Sequence, residues 1–329
     1  MKPHIAITVG DFNGIGPEVV LRSIRTRAVR DSCVPVLVGP ANAFQYYAGI
    51  GGVRLALTPF NDRNPSRGTL FVESSEVPAQ RIVPGTLSQV AGTAAASAIA
   101  TAVRMALRGD VDAMVTAPVS KQALHLAGVR FPGQTEMVQQ LSRSRHVAMM
   151  LVSPTLRVGL VTIHIPLSDV PRTLTPALVI ERISVIHAAL RQDWGIPRPA
   201  LAVLALNPHA GEGGDIGTEE QRVILPALER LRTKGLRLDG PFPADGFFAR
   251  YHPGVYDGVV AMYHDQGLIP LKMSSRGRAV NVSVGLRIVR TSPDHGTAFD
   301  RAGRGTADPR SMVEAILLAV RIAHNRRRI

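Results

Sequence analysis

Three histidines, His164, His209 and His264, each stand at the downstream end of an apolar run: VGLVTIHIP, LAVLALNPHA and GVVAMYHDQG. Neutral imidazole is the commonest nitrogen ligand of zinc-like metals, and three protein donors leave a coordination position open for chemistry. In a parallel α/β sheet the carboxyl ends of neighbouring strands converge on one crevice where ligands bind. Three such strand ends would therefore assemble a metal centre with room for a substrate. A lone histidine in an apolar run is more often a hydrogen-bonded core residue, so it is the repeated placement that points to a ligand set. Spacings of 45 and 55 residues are too long for a local zinc finger, and the fold must bring the rings together. His187 and His252 lack this context and read as helix or surface residues.

Groups suited to an anionic substrate lie around these histidines. Lys272 follows the strand-like LIPL, Asn281 sits within RAVNVSVG, and Arg290 ends the strand-like LRIVR. Arginine offers a planar fork for carboxylate or phosphate, and lysine a compact charge. Each alone also reads as a surface salt-bridge residue. Thr135 in FPGQTEM could donate a hydroxyl at a loop-to-helix junction or merely cap that helix. In GDFNGIGPEVV, Gly14 and Gly16 allow a tight strand-to-helix turn and Pro17 suits the first helical position. Such a helix start could bind an anion, but Val19 stands where a dinucleotide fingerprint needs its third glycine. A structural turn and a ligand-facing turn both remain open, with Asp11 favouring the ligand. Lys121, Asp245 and Asp265 are candidate proton acceptors, Lys121 or a metal-bound water first among them, because each adjoins one of these motifs. Asp265, beside His264, could instead orient a ligand imidazole.

These residues need a scaffold, and the chain alternates strand and helix patterns for most of its length. HIAITVG, VPVLVG, DAMVTAP and LAVLALN read as strands. Helices are expected from Pro17, from Ala91 to a stop at Gly109, from Ser120, and near Thr218, where Thr218 and Gln221 have capping-box spacing. Alternation of this kind predicts a parallel, doubly wound sheet. The length of 329 residues allows two domains. Crossovers are expected such that 1–125 plus 297–329 form a terminal α/β domain, and 126–296 a central α/β domain that carries the metal histidines.

Composition narrows the partners. The net charge of +13 comes largely from scattered arginines and the tail RIAHNRRRI, and aromatics make up only 5% without interleaving the basic clusters. A stacking surface for nucleic acid is not expected. The Ala-rich stretch Gly92 to Leu107 carries Thr93, Ser97, Thr101 and Arg104 and reads as too polar for a membrane span. MKPHIAITVG runs straight into a strand pattern, so no signal peptide is expected. The single cysteine, Cys33, cannot form an internal disulfide, which fits a reducing, cytoplasmic setting.

The motifs GDFNGIGPE, TAPVSK (116–121), FPGQTE (131–136), NPHAGEGG (207–214), AMYHDQG (261–267) and the segment from VNVSVGL to RTSPDHGTAFD (280–300) run in order over nearly the whole chain. Together they closely resemble the 4-hydroxythreonine-4-phosphate dehydrogenase family of pyridoxine and pyridoxal phosphate biosynthesis. The segment HGTAFDRAGRGTADP also resembles the adenine-side cofactor loop of isocitrate and isopropylmalate dehydrogenases.

The resemblance implies a homodimer of two-domain α/β/α subunits, doubly wound and isocitrate/isopropylmalate dehydrogenase-like, with each active site in the interdomain cleft and completed by the partner subunit. By position, His164, His209 and His264 match the family's divalent-metal ligands, with Zn2+ favoured and Co2+ or Mg2+ open. Thr135, Lys272, Asn281 and Arg290 match its substrate-binding residues. Asp11, Gly14, His295, Gly296, Thr297 and Asp300 match the region that would bind NAD or NADP. One position departs: the family has histidine within PGHTE, where this chain has Gln134, which can donate a hydrogen bond but cannot become cationic. The implied reaction is oxidation of 4-hydroxy-L-threonine 4-phosphate to a 3-oxo acid, which decarboxylates to 3-amino-2-oxopropyl phosphate. The metal would acidify the alcohol. Because of Gln134, oxidation of D-threonate or D-erythronate 4-phosphate, or of a cyclic dihydrodiol, stays open within the family. A phosphate acyltransferase of related architecture is a remoter alternative, since it needs neither three histidines nor the HGTAFD loop.

Overall fold

The computed structural model describes residues 2–52, 54–60, 69–75, 81–131 and 133–327. Pro132 of the FPGQTE motif therefore lies outside the described residues. In chain order the strands are β1 (His4–Thr8), β2 (Val34–Gly39), β3 (Leu57–Pro59), β4 (Thr69–Glu73), β5 (Ala113–Thr116), β6 (Ala148–Val152), β7 (Arg157–Leu160), β8 (Ala200–Leu204), β9 (Arg237–Phe242), β10 (Gly258–Ala261), β11 (Val280–Val284) and β12 (Arg290–Pro293).

The chain divides into two compact units, Met1–Ser144 with Leu286–Arg327, and Arg145–Gly285. The terminal unit is discontinuous in sequence, with breaks after 144 and 285 where the sequence pattern suggested 125 and 296. Two packing facts put them there. The helix Gln134–Leu141 packs on the helix Gln89–Arg108 of the first unit, and β12 pairs parallel with β5.

In the first unit the strands lie in the order β3-β4-β2-β1-β5-β12, and each neighbouring pair is parallel. β1 is central and nearly wholly buried, as its unbroken apolar pattern requires. The helix Gln89–Arg108 packs on β1 and β2. Ser88 caps its start by accepting from Ala91 N–H, and Gly109 ends it at φ 80°, a left-handed position that glycine occupies without steric penalty. This helix is long and apolar enough, by length and composition, to cross a membrane, contrary to the reading of its polar residues. Ala91, Ala94, Ala95, Ala98, Ile99 and Ala102 are buried in the unit, so its apolarity serves the core. A second group of helices, Gly16–Ile24, Ala41–Ile50 and Arg310–Arg326, packs mutually around the first of them.

In the second unit the order is β11-β6-β7-β10-β8-β9. β7, β10, β8 and β9 are parallel, but β6 runs against both β7 and β11, so this sheet is mixed where a parallel one was expected. The cause is local. Only the turn Ser153–Leu156 separates β6 from β7, with Ser153 and Leu156 bonded across it, and a parallel crossover needs a dozen residues or more. The core includes Leu151, Val158, Leu160, Leu204, Val259, Leu268 and Leu271.

Two short apolar runs differ from their sequence reading. LIPL is helical, inside His264–Ser275, with Pro270 in the helix interior. A short apolar run with a proline carries no period long enough to separate strand from helix. LRIVR is not a strand ending at Arg290; Arg290 begins β12. Near Thr218 the helical run starts at Glu220 in a π turn, and Gln221 bonds Gly213 O rather than closing a capping box.

Candidate active site

The three histidine loops leave the carboxyl ends of three adjacent parallel strands. β7 leads to His164, β10 to His264 and β8 to His209, and β10 lies between the other two. The β7 to β10 pairing continues past the strand ends, with Val161 N donating to Ala261 O and Thr162 N and Oγ1 donating to Met262 O. This zipper brings His164 and His264 together, with ring centroids 5.7 Å apart at a 42° tilt. They line a cavity of about 260 Å3 with Ile163, Ile165, Tyr263 and Asp265. His264 is the first residue of its helix, and its Nδ1 lies 2.7 Å from Asp265 Oδ1. A carboxylate on one ring nitrogen fixes the tautomer and directs the other nitrogen outward, the usual support of a metal-binding imidazole.

His209 is carried differently. Among the described residues no group of three His, Cys, Asp or Glu side chains meets as a ready ligand set, so a single chain brings the first pair together and not the triad. His209 is exposed, with Nδ1 3.4 Å from Glu212 Oε2. Its backbone is left-handed (φ 51°), as are Ala210 (54°), Gly211 (79°), Glu212 (42°) and Gly213 (71°). His164 is left-handed too, at φ 46°. Residues with a Cβ lose roughly 1–2 kcal/mol each in this region, so three of them in one turn persist only if the surroundings impose it.

Two buried side chains not foreseen from the sequence brace the strand ends from which the histidine loops leave. Glu220, 2% exposed, accepts from Leu206 N and Asn207 N at 2.8 Å and from Asn207 Nδ2 at 2.9 Å. Gln266 accepts from Met262 N at 2.7 Å and donates to Ala205 O at 2.5 Å, tying the end of β10 to the end of β8. Gln266 had a sequence signal, lying two residues beyond His264; Glu220 in GTEEQR had none.

The remaining residues of this unit are dispersed. Asn281, on β11 opposite Leu151, has its Oδ1 buried without a hydrogen-bond partner, which suits a group awaiting a ligand. Lys272 is exposed on its helix, and Asp245 is exposed in the first turn of Ala244–Ala249.

The first unit holds a cationic cluster. Arg290, 3% exposed, donates from Nη2 to Thr116 Oγ1 (2.7 Å) and Gln134 Oε1 (3.2 Å), and from Nη1 to Thr135 Oγ1 (3.3 Å). Burial pulls its guanidinium down to about 10, partly opposed by the nearby Glu136 carboxylate, so the cation survives at neutral pH. Thr135 and Gln134 open the helix Gln134–Leu141, whose amino end also favours an anion. Gln134 Nε2 donates to Ala117 O at 3.4 Å, so both ends of its amide face protein. Lys121 begins the helix Lys121–Leu126 behind the cap Ser120, is exposed, and brings its Cε to 3.8 Å from where a side chain on Gly133 would begin.

The glycine-rich turn after β1 packs on the HGTAFD loop within the same unit. Ile15 N donates to Thr297 O at 2.9 Å, and a Cβ on Gly14 would meet that oxygen at 2.8 Å. Asp11 is fully buried, with Oδ1 accepting from Asn13 N and Oδ2 without a partner. Burial raises its carboxyl to about 6 against the opposing bonds from Asn13 and Gly14. His295 Nε2 is likewise buried without a partner, while Gly296 is open and Asp300 exposed. Asp11, Gly14 and Thr297 thus form one contiguous packed group.

The chain is 44% identical to a 4-hydroxythreonine-4-phosphate dehydrogenase of Geobacter metallireducens, over 98% of this chain and 96% of the relative. It is 43% identical to a D-threonate 4-phosphate dehydrogenase of Cupriavidus necator, over 98% of each. A crystal structure of a 4-hydroxythreonine-4-phosphate dehydrogenase from Klebsiella pneumoniae superposes with a TM-score of 0.87 at 39% identity, covering 98% of this chain and 100% of that one. A family model described as pyridoxal phosphate biosynthetic protein PdxA matches residues 31–319. The chain belongs to the PdxA family.

Proposed function

We propose that this protein oxidises 4-hydroxy-L-threonine 4-phosphate with NAD or NADP, and that the 3-oxo acid formed loses CO2 to leave 3-amino-2-oxopropyl phosphate. The observation that carries the reading is the placement of His164, His264 and His209 at the carboxyl ends of three adjacent parallel strands. Imidazole donors, one already oriented by Asp265, fit a zinc-like divalent cation better than a hard, oxygen-seeking one. Such a cation, when bound, would polarise the substrate alcohol and then the carbonyl. A homodimer in the cytoplasm, in which a partner subunit completes the ligand set, belongs to the same proposal.

The chain's own residues take the other tasks. Arg290, with Thr135 and Gln134, holds the phosphate or carboxylate: its charge stays buried, and its fork suits a planar or tetrahedral oxyanion. Lys272 and Asn281 supply further donors to the anionic ends. The turn around Asp11 and Gly14, together with His295, Gly296, Thr297 and Asp300, holds the nicotinamide cofactor that takes the hydride. Lys121 accepts the alcohol proton, and Asp265 keeps the His264 ring in register rather than acting as the base.

A second reading rests on Gln134 and on the relative that oxidises D-threonate 4-phosphate. An NADH absorbance assay with 4-hydroxythreonine 4-phosphate beside threonate 4-phosphate, each with and without chelator, separates the two. Faster turnover of the first, abolished by chelator, supports the proposal. Preference for the second makes Gln134 a specificity residue, and full activity in metal-stripped buffer removes the metal from the mechanism. Arg290→Lys should raise KM for the phosphorylated substrate roughly 10- to 100-fold with a smaller change in kcat, since the fork and not the charge alone is lost.

A further inference from the structure

We infer that Glu220 is the positioning residue for His209: its buried carboxylate holds the turn that presents the imidazole in its left-handed form. The inference rests on the reading of His209 as a metal ligand and assigns a part that this reading leaves open. Glu220 lies beyond the turn, in the π-helical stretch Glu220–Ile224, yet its two oxygens accept from Leu206 N, Asn207 N and Asn207 Nδ2 at the turn's entrance. At 2% exposure it has no competing water, so those three donors are bound to one fixed point.

The rest of the turn closes around that point. A Cβ on Gly211 would stand 2.7 Å from Glu220 Oε2 and 3.0 Å from Gly217 O, so no side chain fits between the turn and the carboxylate. A Cβ on Gly217 would stand 2.5 Å from Asn207 Nδ2. Asn207 Nδ2 also donates to Glu219 Oε2, and Gln221 Nε2 donates to Gly213 O at 2.6 Å. Three successive side chains, Glu219, Glu220 and Gln221, thereby reach back to residues on both sides of His209. These contacts enclose the stretch in which His209, Ala210 and Glu212 keep a conformation that side chains avoid.

Replacing the carboxylate by an amide keeps the size and puts an NH2 against donors, so Glu220→Gln tests the clamp with the least change in packing. Zinc affinity of the full-length metal-stripped protein is measured by titration well below its unfolding temperature, beside amide hydrogen exchange and the kcat and KM of the reconstituted enzyme. E220Q should weaken zinc binding roughly 10- to 100-fold, as loss of a support for a metal ligand does. It should also accelerate exchange within 207–217 alone, with a fall in kcat larger than the rise in KM. Glu220→Asp, which keeps the charge but shortens the reach, should restore part of the affinity. Should E220Q fail to fold, Gly211→Ala perturbs the same contact from the other side and should weaken zinc to a similar degree. Unchanged zinc affinity in E220Q, or in G211A, beside a weakened His209→Ala overturns the clamp. Unchanged affinity in H209A overturns the ligand reading itself, and Glu220's part with it.

Discussion

Two glycine-rich connections leave the carboxyl ends of parallel strands, and they keep their shape by opposite means. The turn after β1 is buried from Gly10 through Val20 and is held from afar. Asn13 alone donates to Thr86 O and Thr86 Oγ1 and accepts from Val83 N, while Asp11 N reaches Pro118 O and Tyr47 OH reaches Gly14 O. The turn after β8 is largely exposed and is held by residues that follow it directly, Glu219 to Gln221. The first trades all solvent access for rigidity. The second keeps an imidazole accessible in a strained backbone, because its clamp is local and lies underneath. Damage to the first should appear in stability together with cofactor affinity, and damage to the second in function alone.

The largest expected effect breaks the second region's function. His209→Ala should lower kcat/KM roughly a thousandfold, the scale of several kcal/mol of lost charge stabilisation, while circular dichroism and unfolding midpoint stay close to the parent. A midpoint that falls with activity would mean that the exposed turn is structural after all.

Asn13→Ala should do the reverse and destabilise the protein by about 2–3 kcal/mol, because it removes the bonds by which one buried side chain holds Val83 N and the Thr86 carbonyl and hydroxyl. Denaturant unfolding measures it, and zinc affinity of the folded variant should not change. Asp11→Asn sharpens the contrast through pH. Burial raises the Asp11 carboxyl from 3.8 to about 6, so the protonated form is the better one inside. The stability it contributes is complete below about pH 4 and is lost as pH rises through 6. The variant should therefore gain about 2 kcal/mol over the parent at pH 8 and nothing at pH 4. A gain equal at both pH values would show that charge is not the cause. The smallest effect is expected of Gln221→Ala, which removes one exposed bond to Gly213 O and should cost at most about 1 kcal/mol, seen as faster exchange at 209–213 only.

How much of this was legible in the residues differs between elements. The helix stop at Gly109 and the strands β1, β2, β5 and β8 follow from local pattern, and the structure has them there. LIPL is not legible as helix because four apolar residues fit either period, and the start of β12 at Arg290 is not legible because its pairing with Met114 is not encoded nearby. The mixed second sheet could have been seen from the short gap between β6 and β7, which leaves no room for a crossover. Of the functional candidates, Arg290, Thr135 and Gln134 gather as one cluster and Asp11, Gly14 and Thr297 as one packed group. Lys272 and Asp245 stay exposed on their helices.

The sequence by itself determined the alternation of strand and helix and the lodging of each histidine just past an apolar run, because hydrophobic period and turn chemistry act over a few residues. Tertiary structure decided which strand ends are neighbours, hence that His164 meets His264. It also decided that Thr116, 174 residues away, becomes a partner of Arg290 in a buried site. Those choices follow from strand pairing and burial across the whole chain, where the energy of a contact depends on what else has already come together.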